Sequence, residues 1–83
     1  MVKKAGRRIR YEVLPEKDGG WSVTRDRVVT GRFITKAGAV EYAAGEGRRA
    51  WAKGLPAQLF IKGRDGRIQD ERTYGNDPRH IPG

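Results

Sequence analysis

The sequence predicts an α+β fold: a five-stranded antiparallel sheet in the order β-β-β-α-β-β, with one helix packed on one face. Three observations predict it. Apolar and polar residues alternate with period two up to residue 34 and again from residue 57. Between those stretches the apolar period lengthens to that of a helix. Glycine-bearing turn signals separate the segments.

The elements follow in order. Residues 1–8, M-V-K-K-A-G-R-R, are polar, basic and aperiodic, and read as a flexible arm. Ile9 to Leu14 places Ile9, Tyr11 and Val13 on one face and Arg10 and Glu12 on the other. Pro15 ends this strand because it lacks the N–H a ladder needs. Asp18, Gly19 and Gly20 then supply a turn. Trp21 to Arg25 alternates again, with Trp21 and Val23 inward and Ser22 and Thr24 outward. Asp26 and Arg27 form a short connection to a third strand, Val28 to Ile34. Gly31 inside that strand marks a bulge or a close backbone approach.

Thr35 suits a helix N-cap, its side-chain oxygen accepting a backbone N–H. Val40, Ala43, Ala44, Gly47 and Trp51 then fall on one helical stripe, which makes Trp51 a core residue. Gly38, Gly45 and Gly47 each cost a helix about 1 kcal/mol relative to alanine. Small residues on the packing face offset that loss by letting the helix approach the sheet closely. Gly54 and Pro56 stop the helix. Ala57 to Lys62 is a fourth strand, with Leu59 and Ile61 inward and Gln58, Phe60 and Lys62 on the other side. That leaves Phe60 as the candidate exposed aromatic. Gly63-Arg64-Asp65-Gly66 is a hairpin turn. Arg67 to Tyr74 is a charged edge strand. The domain therefore covers residues 9–78, and residues 79–83 form a frayed tail.

Composition limits the function. Eighty-three residues make one small domain, too short for a dinucleotide-binding fold or a barrel enzyme. With no cysteine there is no disulfide and no thiolate ligand for zinc or iron. No apolar run is long enough to span a bilayer, and no apolar stretch follows the basic start as a secretory signal would require. The expectation is a cytoplasmic protein.

The segment L-F-I-K-G-R-D-G-R-I-Q-D-E-R-T-Y-G-N-D-P, residues 59–78, carries a strand, a G-x-D-G-R-I-Q turn and a strand ending in Y-G-N-D-P. It resembles the small bacterial and phage family called domain of unknown function 2188. The G-G-W-S-V-T-R hairpin at Gly19 to Arg25 and the T-K-x-x-A helix start at Thr35 to Ala39 also resemble it. Gly38 stands where the family tends to an acidic residue, so the reciprocal half of a capping box is lost. The resemblance implies a fold and no established activity.

The net charge is +8. Lys3, Lys4, Arg7, Arg8 and Arg10 supply five cations in the first ten residues, with no acid among them. Phosphates attract such a cluster through counterion release, which gives affinity without sequence preference. Arg25, Arg27, Arg32 and Lys62 extend the basic surface onto the sheet, with Arg64 and Arg67 near the last hairpin. The plainer reading of these cations is a solvated surface. Asp65, Asp70, Glu71, Asp77 and His80 match no metal-ligand spacing, and turn and ion-pair roles account for them. With one histidine, one serine and no phosphate loop, no catalytic constellation is present. The expectation is a non-enzymatic nucleic-acid-binding protein that needs no metal or cofactor. The alternative is a protein-interaction module or homodimeric regulator without a nucleic-acid role.

Overall fold

The computed structural model describes residues 8–75. The expected arm, except Arg8, and the expected tail lie outside the described residues. Six elements follow the expected order: β1 (Ile9–Pro15), β2 (Trp21–Arg25), β3 (Val28–Phe33), α1 (Lys36–Ala52), β4 (Ala57–Lys62) and β5 (Ile68–Tyr74).

The sheet is mixed, which corrects the fully antiparallel expectation. Its strand order is β3-β2-β1-β4-β5. Three pairs are antiparallel, but β1 and β4 run parallel, with Tyr11 beside Leu59 and Val13 beside Ile61. The reason is the helix. A strand reached through a helical crossover returns in the direction of the strand that was left, whereas hairpins reverse direction. The β3-α1-β4 crossover passes over β2 and β1 and sets β4 against the free edge of β1.

Each turn has a local cause. Gly19 at φ +99° closes the β1–β2 turn, and the Asp18 carboxylate accepts the Gly20 N–H at 2.9 Å. Asp26 and Arg27, at φ +48° and +74°, form the two-residue link to β3, whose twist suits adjoining strands. The register shifts at Val23/Thr24, leaving Thr30 as the extra residue beside Gly31, the expected bulge. Thr35 caps α1 by accepting the Gly38 N–H at 3.1 Å. At the other end Gly54 turns at φ +83°, while Leu55 N–H returns to the Ala50 carbonyl at 2.9 Å. That pattern is a Schellman closure.

The core lies between α1 and one sheet face. Tyr11, Val13, Trp21, Val23, Leu59 and Ile61 meet Ala39, Ala43, Ala44 and Ala50, and Gly47 is buried on the same helix. The small helix residues bring the backbone close to the sheet. A Cβ built on Gly47 would stand 2.6 Å from the Tyr74 ring. Trp51 is not core: it is 40% exposed. Ala50 takes the inward position in the last turn, so Trp51 sits on the helix flank.

Candidate nucleic-acid interface

The uncovered sheet face carries Arg10, Glu12 and Leu14 from β1, Ser22 and Thr24 from β2, and Gln58, Phe60 and Lys62 from β4. Glu12 governs it. Only 8% exposed, it accepts from the Arg10 guanidinium at 2.9 and 3.1 Å and from the Thr24 hydroxyl at 3.4 Å. The Lys62 ammonium stands 3.9 Å from the same carboxylate. A shielded carboxylate needs such partners, and it neutralises them in turn.

Phe60 differs from its expected exposure. The Arg10 guanidinium lies 4.3 Å from the centre of its ring and covers it, so Phe60 is 9% exposed. The contact is cation–π, and it removes Phe60 as a free stacking platform. Trp21, expected in the core, is buried there. Its ring is bracketed by Arg64 at 4.3 Å and Lys36 at 5.5 Å. Arg64 also donates to the carbonyls of Glu16, Gly19 and Gly20, tying the β4–β5 turn to the β1–β2 turn.

The nine expected contact residues therefore do not form one surface. Lys3, Lys4 and Arg7 lie outside the described residues. Arg10 and Lys62 are engaged with Glu12. Arg32 is exposed opposite Ser22, toward the far end of the sheet. Arg25 follows Trp21 and Val23 onto the helix-covered side, at its open end. Arg25 and Arg27 flank Asp26 at the β2–β3 turn, and that turn meets Arg10 at the start of β1. The Arg10 N–H donates to the Asp26 carboxylate at 3.0 Å, and Asp26 N–H donates to the Arg10 carbonyl at 2.7 Å. These bonds pin the β2–β3 turn against the chain where the arm enters the sheet.

Two further cations join this end. Ile9, Tyr11, Arg25, Glu46, Arg49, Lys53 and Leu55 line a cavity between the sheet and the last turns of α1. Arg49 pairs with Glu46 at 2.6 Å, and this hydrogen bond holds its guanidinium pKa above the ordinary value. Burial pushes the Tyr11 phenol up as well, with Arg25 opposing and Glu46 reinforcing the shift. The sequence places Arg49 and Lys53 four apart on one helix flank; what it does not announce is which strand end that flank overhangs.

Asp65, Asp70 and Glu71 do not converge. Asp65 accepts the Arg67 N–H at 3.0 Å, and Asp70 pairs with Arg72 at 3.5 Å, whereas an arginine partner was expected for Glu71. Among the described residues no group of three or more His, Asp or Glu is placed to hold a metal. Asp77 and His80 lie outside them. Among the described residues no helix is long and apolar enough to cross a membrane.

The family model for an uncharacterized protein conserved in bacteria (DUF2188) matches residues 11–74. The chain belongs to the DUF2188 family. The DUF2188 match runs from Tyr11 in β1 to Tyr74 at the end of β5, so it takes in the cavity's Tyr11, Arg25, Glu46, Arg49 and Lys53 and begins after the basic arm. No curated protein and no solved structure matches the chain significantly.

Proposed function

We propose that this DUF2188 protein is a non-enzymatic nucleic-acid binder that grips backbone phosphates at the end of the domain where the arm begins. One observation supports the reading: Arg10, where the arm joins β1, is bonded through its backbone to Asp26, which lies between Arg25 and Arg27. The arm cations Lys3, Lys4 and Arg7 precede this point in the sequence. A binder that neutralises phosphates loses affinity with salt in proportion to their number. Phosphate contacts fix position and carry little sequence preference.

Fluorescence anisotropy with duplex and single-stranded DNA across a salt series tests this. Replacing Lys3, Lys4, Arg7 and Arg8 with Gln is expected to flatten the log–log salt slope by roughly 3 units. Arg25→Gln with Arg27→Asn removes up to about 2 more, Asn being chosen because it tolerates positive φ. Circular dichroism melts confirm that the variants remain folded. No binding of the unmodified protein at low salt would falsify the proposal.

A second reading, a homodimeric or protein-binding module, is favoured by a different observation. The edge strand β3 exposes Val28 and Val29, followed by Ile34, and its segment contains no acid.

A further inference from the structure

The cavity at the arm's end of the domain has the chemistry of an oxyanion site. Its volume is about 90 Å³, well below the several hundred Å³ of a site for a whole small-molecule ligand. It has room for one compact group. Three cations line it from two elements: Arg25 at the end of β2, and Arg49 and Lys53 at the end of α1 and its cap. Glu46 is the single acid, leaving the lining net positive.

Tyr11 adds a neutral donor to the cations. It is 2% exposed and lines the cavity. The Arg25 and Glu46 charges both act on this phenol, so they stand within electrostatic reach of it. An anion in the cavity would accept from the hydroxyl and from the two guanidinium groups.

The Arg49–Glu46 pair does not block this. It joins neighbouring turns of one helix, and the Arg49 side chain is 65% exposed. Such pairs contribute little and exchange readily for a better acceptor. A doubly charged group offers Arg49 more than one carboxylate does, because guanidinium forks match phosphate oxygens.

We propose that this cavity binds a single phosphate monoester group, whose oxygens accept hydrogen bonds from the Tyr11 hydroxyl, Arg25, Arg49 and Lys53. The choice of nucleic acid as its carrier rests on the function proposed above. A strand end offers a monoester, with up to two charges, whereas each internal phosphate is a diester with one. The arm would track internal phosphates while the cavity holds the terminal one.

The test uses the full chain and four probes: single-stranded oligonucleotides with 5′-phosphate, 3′-phosphate or only hydroxyl ends, and inorganic phosphate alone. A terminal phosphate at one end should tighten binding about tenfold over the all-hydroxyl strand, the value of one or two charge-assisted hydrogen bonds. Tyr11→Phe should erase most of that difference and leave the all-hydroxyl strand's affinity unchanged, whereas Arg49→Gln should erase it with a smaller loss shared by all three strands. Glu46→Gln should widen it. Inorganic phosphate should shift the NMR resonances of Tyr11, Arg25, Arg49 and Lys53 and not those of Arg32 or Lys62.

The outcomes separate the two ideas. Equal affinity for all three strands, with no shift from inorganic phosphate, overturns the site and leaves general nucleic-acid binding standing. Failure of every strand to bind, with inorganic phosphate still shifting these four residues, overturns nucleic acid as the carrier and supports the monoester site. Failure of every probe overturns both.

Discussion

Gly47 lacks a side chain because the Tyr74 ring occupies the place where one would go. Gly45, two residues earlier, meets only the ends of Arg48 and Arg49, at 3.8 Å. The two glycines should therefore respond to alanine in opposite directions. Gly45→Ala should stabilise by about 0.5–1 kcal/mol, the helix propensity difference alone. Gly47→Ala should destabilise by roughly 1–3 kcal/mol through overpacking, and a smaller residue at Tyr74 should recover part of that loss. Denaturant unfolding of the single and double variants checks both. Tyr11 gives a prediction in pH. Burial favours the neutral phenol, so its pKa is raised in the folded protein. The stability tied to that protonated state is fully present below the ordinary phenol value of about 10. It should fall as pH rises from there through the higher folded value. Unfolding measured from pH 9 upward should show the decline, and Tyr11→Phe should reduce its slope.

Single strands and the helix were legible in the sequence because their causes are local. The start of β1, the span of β2 and the Thr35 cap follow from alternation and turn chemistry that neighbouring residues determine. Trp51 was misplaced because a helical stripe fixes an angle and not the point where the sheet beneath it ends. Phe60 shows the same limit. Alternation puts it on the uncovered face, but only tertiary structure brings Arg10 across its ring. The edge strands contrast in their protection. Charged side chains line β5, whereas β3 presents Val28 and Val29 and relies on the Thr30 bulge. If β3 is a pairing edge, sedimentation should show a dimer at high concentration that Val29→Lys dissolves. A strict monomer at all concentrations rejects the second functional reading.

At the scale of the molecule, the charge has an address. Glu12 quiets the middle of the uncovered face, while among the described residues Arg25, Arg27 and Lys53 stand at the arm's end and Lys17 and Arg32 lie apart from them. The sequence showed five basic residues at the start of the chain, but not that Arg10, the last of them, turns inward to a carboxylate. Arg10→Gln should therefore reduce stability by roughly 1–2 kcal/mol, a figure discounted for the partial exposure of Arg10. It should change nucleic-acid affinity less than Arg8→Gln does. Glu12→Gln should act the other way, weakening the fold while steepening the salt dependence by about 1 unit. Denaturant melts and the salt series on the same samples separate the two effects. The pairing of β1 with β4 was also beyond local reading, because helical spacing does not say which free edge the returning strand will take.

That parallel pair also governs the order in which the protein matures during synthesis. The first strand made is the middle strand of the sheet, and its second neighbour is encoded some fifty residues later. The β1–β2–β3 meander can form as it leaves the ribosome, but one edge of β1 stays bare until Ile61 emerges. A nascent chain arrested before β4 would therefore expose Tyr11 and Val13 beside an unpaired backbone, a surface suited to capture by a chaperone or by another nascent chain. Emergence of β4 is the event that closes the bare edge of β1.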